Sequence, residues 1–267
     1  MKKMTKFIAI ISAKGGVGKT TSVINLATAL MHLGVHSLII DCDLSSPNTT
    51  LYLGLPYKTN TINDVLIGKC TLKETIHTHP SGLKIIPASI SHDNIDEFHY
   101  DRFDKVLATL TEEVDVVILD TPPGLDKPLL ELIKLSHYII TVTTPDMAAL
   151  TDTLKTLKLV KSLNKKVLGT IVNRYQEHDS MDVRPHDIEK FLDTRVIGVI
   201  PEDHAIKKSH YLRNPAVYAY PDSEAAMGYK TVAASLLGKK YEKVHVTKHP
   251  EQKSAAYYIF KNLGLAK

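Results

Sequence analysis

One segment constrains this chain more than any other. Lys14-Gly15-Gly16-Val17-Gly18-Lys19-Thr20-Thr21 follows closely on a short apolar run, Phe7-Ile8-Ala9-Ile10-Ile11. The run has the length of a buried strand rather than a helix. Beyond the glycines, Val23, Leu26, Ala27 and Leu30 recur at helical spacing between Thr20 and Leu33. The chain therefore reads strand, glycine loop, helix, the context in which such a loop cradles phosphate.

The chemistry follows from the residue types. Gly15, Gly16 and Gly18 are free to take backbone angles closed to other residues and to turn their amides inward. Those amides, with Val17 between them and the start of the helix behind, make an anion site. Lys19 is expected to reach the β- and γ-phosphates, and the Thr20 hydroxyl to hold Mg²⁺. Thr21 completes the phosphate-side set. The usual spacing would require glycine at Ala13; the variant Lys-Gly-Gly-x-Gly-Lys-Thr is satisfied at every position, which adds a second lysine, Lys14.

Apolar runs recur at 6–12, 36–42, 83–88, 114–120, 138–144, 167–173 and 195–200. They are continuous rather than alternating, as in strands covered on both faces. Helical stretches lie between most of them, notably 99–113, 146–163 and 222–238. The alternation predicts a single α/β domain over residues 1–240, with a mostly parallel central sheet flanked by helices on both faces. Ligands in such sheets bind beyond the carboxyl ends of strands. Asp41, Asp43, Asp120 and Asn173 are all expected just past such ends, so one rim collects them.

Composition excludes several alternatives. With 267 residues the chain can bury a full core, and its formal charge of +4 permits but does not demand an acidic partner surface. Cys42 and Cys70 supply neither a disulfide framework nor a Cys-x-x-Cys metal site, which suits a reducing cytoplasm. Cys42 reads as a core residue. Among 13 histidines, His77 and His79 form the only close pair, and solvation or capping explains them better than metal. Lys2 and Lys3 precede too short an apolar run for a secretion signal, and no stretch is apolar enough to span a bilayer.

Three further segments appear in order: Asp41-Cys42-Asp43-Leu44-Ser45-Ser46-Pro47-Asn48, then Val116-Val117-Ile118-Leu119-Asp120-Thr121-Pro122-Pro123-Gly124, then Ile171-Val172-Asn173-Arg174 with Val199-Ile200-Pro201-Glu202-Asp203. With the glycine loop, these resemble the MinD/ParA family of P-loop ATPases, the MinD type above all, over about residues 5–240. The resemblance implies a first switch at Asp41–Asn48, a Walker B strand ending at Asp120, and adenine-side strands at the third pair. It assigns Asp43 to orienting the attacking water, with Asp41 on the same side of the strand. Asp120 would hold Mg²⁺ through water, Asp41 joins the metal set, and Asn48 braces the switch. Asn173, Pro201 and Asp203 would meet adenine. Asn173-Arg174-Tyr175-Gln176 stands where a related GTPase usually carries Asn-Lys-x-Asp. Lys14 would cross an ATP-dependent homodimer interface and neutralise charge on the partner's ATP, as an arginine finger does.

The tail changes character. Residues 241–253 read as a polar linker broken by Pro250. Ala256, Ile259, Phe260 and Leu263 then recur at helical spacing within 254–267, resembling the family's membrane-targeting helix. Burying Ile259, Phe260 and Leu263 gains roughly 1.5–3 kcal/mol each before ordering costs, and each lysine near an anionic surface adds about 1 kcal/mol. One such tail binds weakly; two on a dimer gain roughly 10²-fold by avidity. The expected protein is cytoplasmic and joins an anionic membrane through 254–265 when ATP-bound, with a stimulating protein partner that the sequence does not name. The competing expectation is a ParA-like partition ATPase that binds DNA non-specifically, drawing on Lys161–Lys166 and Lys207–Lys208. An iron–sulfur carrier on the same fold ranks a distant third for want of the cysteine pair. Asp152, Lys155 and Lys158 on the helix 146–163 read as a solvated face.

Overall fold

The structure, a computed structural model, describes residues 5–44, 46–56, 59–89, 100–110, 114–239 and 241. The linker and tail expected over 241–253 and 254–267 lie outside the described residues, apart from Tyr241. Eight strands form one sheet: β1 (Lys6–Ile11), β2 (Ser37–Asp41), β3 (His77–Thr78), β4 (Lys84–Ile86), β5 (Val116–Asp120), β6 (Tyr138–Thr143), β7 (Lys166–Tyr175) and β8 (Val196–Pro201), in the order β3-β4-β2-β5-β1-β6-β7-β8. Each apolar run became a strand. Every pairing is parallel except β3 with β4, whose two-residue edge strand was too short to leave a periodic signal.

The helices are α1 (Lys19–His32), α2 (Asn48–Leu53), α3 (Ile62–Leu66), α4 (Tyr100–Ala108), α5 (Lys127–Leu135), α6 (Met147–Ser162), α7 (Pro185–Leu192), α8 (His204–Tyr211), α9 (Ala216–Ala219) and α10 (Glu224–Leu236). Strand residues alternate between two cores. Ile8 and Ile10 of β1 pack with α1 and α10 on one face, and Phe7, Ala9 and Ile11 pack with α3, α4 and α5 on the other. Each such isoleucine or leucine taken fully from water contributes roughly 1.5–3 kcal/mol before ordering costs.

Helix α1 departs from the amphipathic expectation. It is buried almost all round, because the sheet covers one side while α9 and α10 cover another. Its polar residues are therefore partnered. Ser22 Oγ lies 3.1 Å from the Tyr229 hydroxyl, and Asn25 Oδ1 accepts the Val217 amide at 3.0 Å. Thr28 returns its hydroxyl to the Ile24 carbonyl at 2.8 Å. Unpartnered, each such group would cost about 1–3 kcal/mol.

Strand order reverses at β1: the chain leaves it for β2 on one side, and later crosses from β5 to β6 over it. The loop after β1 thus opens into the crevice where ligands of doubly wound sheets bind.

Candidate functional site

The crevice is a cavity of about 640 Å³, within the range of small-molecule sites. Its phosphate-side wall is Gly15, Gly16, Gly18, Lys19, Thr20 and Thr21; Asp43, Ser46 and Asn48 form another side, and Asn173, Pro201 and Asp203 the far end. Lys14 and Val17 do not line it: Val17 is buried behind the loop, and Lys14 is exposed. Gly16 and Gly18 hold φ of 80° and 89°, the left-handed region, whereas Gly15 does not need it. At Gly18 a Cβ would also fall 2.1 Å from Asn173 Nδ2.

The carboxylates gather beneath the loop. Asp41 ends β2 and Asp120 ends β5, adjacent strands in register at those two residues. Both are fully buried, and Asp43 is nearly so. Lys19 Nζ sits 2.5 Å from Asp120 Oδ1, with both side chains out of water. Burial alone would pull the Lys19 pKa down; Asp120, with Asp43 and Asp41 behind it, outweighs that and leaves it raised. Asp41 carries the opposite consequence. Burial first, then the charge of Asp120, push its carboxyl up to about 8, against the hydrogen bonds it accepts.

Those bonds give Asp41 a visible task. Its Oδ1 accepts the Asp43 amide at 3.0 Å, and its Oδ2 accepts the Thr49 hydroxyl and, more loosely, the Thr49 amide. Asp41 therefore ties both ends of the Asp43–Asn48 segment to the sheet. Asp43 Oδ1 accepts the Ser46 amide at 3.0 Å. Thr49 was not singled out from the sequence; a threonine in the first turn of a six-residue helix carries no signal of its own.

Asp120 Oδ2, by contrast, is buried with no hydrogen-bond partner among the described residues. A buried carboxylate oxygen without a donor is costly, and together with the Thr20 hydroxyl on the cavity wall it supplies the hard oxygen chemistry that suits Mg²⁺. The residues present fit that ion. Cys42, between the two switch aspartates, is buried with its thiol pushed up by burial and then by Asp41 and Asp120, so it is a core residue and not a nucleophile.

The far end is built differently. Asn173 lies inside β7, not past it, and its Nδ2 donates to the Val17 carbonyl at 2.7 Å, bracing the phosphate loop. One amide hydrogen and the carbonyl oxygen remain for a base. Asp203 caps α8 through the Ala205 amide at 2.8 Å and accepts the Ala225 amide of α10 at 3.1 Å. Both carboxylate oxygens are so engaged, which leaves backbone as the base-facing element there.

Several wall residues escaped the sequence reading: Ser12, Tyr52, Pro123, Ile206 and His210 among them. Tyr52 had a faint signal, being one helical turn beyond Asn48 on the same face of α2. His210 had none, since nothing local to α8 points to the phosphate loop. His79, read as solvated or capping, is buried instead. The Ser81 amide donates to its Nδ1 at 3.1 Å, and its Nε2 donates to the Arg213 carbonyl at 3.0 Å. On α6, Lys155 pairs with Asp152 at 3.1 Å on an exposed face.

Comparison with known proteins agrees with this geometry. A family model described as an AAA domain matches residues 5–171. An uncharacterised ATP-binding protein of Methanocaldococcus jannaschii is 38% identical over 235 residues, covering 88% of this chain and 89% of that protein. The septum site-determining protein MinD of Synechocystis sp. is 28% identical, covering 88% and 91%. The solved structure of the septum site-determining protein MinD from Pyrococcus horikoshii, complexed with Mg-ADP, superposes with a TM-score of 0.81 at 31% identity, covering 87% of this chain and 96% of that one. With the loop, the paired aspartates and the sheet order in place, this chain belongs to the MinD/ParA family of P-loop ATPases.

Proposed function

We propose that this ATPase is a MinD-like switch. It pairs on ATP, joins an anionic membrane surface through residues 254–265 while paired, and so positions cell division or another localised machine. The observation that carries the reading is the opposite placement of two lysines from one loop. Lys19 is buried against Asp120, while Lys14 stands exposed on the rim, off the cavity wall. A cation aimed outward from its own site serves a partner's site better than its own. The rim around it suits a partner. Burial would raise the Asp146 carboxyl, but the hydrogen bonds from Thr144 and Ala149, and then the charge of nearby Lys14, leave it lowered. Met147, next in the chain, is 53% exposed, and Leu125, one residue past the Gly124 that bonds Ser12, is 39% exposed.

In this scheme Lys19 exchanges Asp120 for the β- and γ-phosphates, and the loop amides hold the remaining phosphate oxygens. Asp43 orients the attacking water, and Lys14 of the second copy neutralises charge that develops on the transferred phosphoryl group. Thr20 and Asp120 would hold Mg²⁺, with Asp41 behind them, and that ion would supply further charge neutralisation on the phosphates. The Asn173 amide and backbone near Pro201 and Asp203 receive adenine. Among the described residues no helix is long and apolar enough to cross a membrane, so attachment in this scheme is peripheral.

One feature favours a second reading. On α8, Lys207 and Lys208 are exposed beside Tyr211, which is 88% exposed, and together with Leu212 and Tyr220 they line a separate hollow of about 360 Å³. Basic residues clustered on an exposed helix suit the phosphates of duplex DNA, as in a ParA-like partition ATPase.

Co-sedimentation with anionic vesicles and with duplex DNA, under ATP and ADP, separates the two. The switch reading expects vesicle binding with ATP only, lost in Lys14→Ala and after deletion of 254–267. Binding to DNA that falls steeply with salt, with no vesicle binding, establishes the second reading instead. A chain that stays monomeric at high concentration with ATP, hydrolysing equally well as Lys14→Ala, refutes both.

A further inference from the structure

Two rings from distant parts of the chain meet on the wall of the nucleotide cleft. Tyr52 of α2 and His210 of α8 are stacked, with centroids 4.0 Å apart and an angle of 4° between their planes. Both line the same cavity as the phosphate loop. Helix α2 begins at Asn48, directly after the segment that carries Asp43, and α8 follows Pro201–Asp203 at the base end. The pair therefore joins the switch side of the cleft to the base side.

The rings are held from behind. Gly54, just past α2, packs so tightly on Arg213 that a Cβ there would fall 2.6 Å from Arg213 Cδ. The Arg213 carbonyl accepts His79 Nε2–H from the β3 edge at 3.0 Å. Arg213 itself sits in the left-handed region, with φ of 55°. Two separate contacts thus hold the chain just past α8 against the end of α2 and the turn after β3.

The front of the imidazole is held loosely. Its Nε2 lies 3.4 Å from Thr21 Oγ1, longer than a well-formed hydrogen bond. His210 thus stands beside the phosphate loop, on a helix that starts directly after Pro201–Asp203 at the other end of the cavity. In the ATP reading the phosphates would fill the loop and the base the Asn173–Pro201 end of the same cavity. The part of a nucleotide between them is the ribose and the α-phosphate.

We infer that His210, oriented by Tyr52, is a nucleotide-binding residue of this ATPase: its Nε2–H donates to the α-phosphate, replacing the long contact to Thr21. The inference rests on the ATP reading of the cleft. Because ATP and ADP share the α-phosphate with its attached ribose, the pair serves both equally.

The test is equilibrium binding of ATP, ADP and inorganic pyrophosphate to the full chain and to His210→Ala, His210→Gln, Tyr52→Phe and Tyr52→Ala. Pyrophosphate supplies only the two phosphates that Lys19 reaches and leaves the α position empty. His210→Ala is expected to weaken ATP and ADP by the same factor, about tenfold for a hydrogen bond to a charged group, and to leave pyrophosphate unchanged. Tyr52→Phe keeps the stacked ring and should match the parent chain; Tyr52→Ala should show a smaller loss with the same equality between ATP and ADP. Unchanged ATP binding in both His210 variants overturns the inference, and so does an equal loss of pyrophosphate, which would mark His210 as a structural prop for the loop. Should the parent chain bind pyrophosphate but neither nucleotide, the reading of the cleft as an ATP site falls, and this inference falls with it.

Discussion

The two ends of the cleft are held by opposite means. At the phosphate end, charges are taken out of water and set against each other: Lys19 on Asp120, with Asp41 and Asp43 alongside. At the base end the work is done by neutral contacts: the Asn173 amide on the Val17 carbonyl, the Tyr52–His210 stack, and His79 on the Arg213 carbonyl. A buried charge set is costly to assemble and costly to interrupt, which suits a place where a polyanion must displace one partner and find others ready. Neutral contacts tolerate small shifts, which suits a wall that closes on a flat base and a sugar.

The largest expected effect comes from halving the ion pair. Lys19→Met should abolish hydrolysis and lower stability by about 3–5 kcal/mol, read from urea denaturation. Adding Asp120→Asn should recover much of that stability and none of the activity. A stable single variant would mean that charge does not hold the phosphate end.

Next comes the seam between the ends. Gly18→Ala forces a side chain into the left-handed region and onto Asn173, and should cost about 1–3 kcal/mol of stability along with nucleotide affinity. Combining it with Asn173→Ala removes the collision but not the backbone strain, so only part should return. Full recovery would assign the whole cost to the collision.

The pH responses of the two ends should have opposite signs. Asp41 has its pKa raised in the fold, from 3.8 to about 8. Its contribution is complete below pH 3.8 and is lost as pH rises from there through about 8, the window in which only the unfolded chain ionises it freely. His79 is lowered from 6.5, by burial against the opposing bond to Arg213. Its contribution is complete above pH 6.5 and is lost as pH falls below that value. Asp41→Asn should flatten the alkaline side of the stability profile, and His79→Gln the acid side. The contrast fails if both variants flatten the same side.

The smallest effect tests a bond remote from either end. Tyr229→Phe leaves the Ser22 hydroxyl without its 3.1 Å partner and should cost about 1 kcal/mol, with hydrolysis unchanged. A larger loss of activity than of stability would show that α10 steers α1, and through it the phosphate loop.

What the sequence determined by itself is the phosphate end and the sheet. Lys14–Thr21 is one contiguous segment whose residue types dictate its conformation locally, and each apolar run was long enough to announce a strand covered on both faces. Asp41 and Asp120 were legible because they close two such runs, and β-strand ends lie at a known rim. Tertiary structure alone decided the rest. Thr49 reaches Asp41 across a turn, Asp203 is consumed by capping α8 and bonding α10, and His210 meets Tyr52 and Thr21 across 158 and 189 positions of chain. These contacts come from packing α2 and α8 over one crevice. No local pattern of residues encodes them, because their geometry exists only once the sheet has brought both helices together.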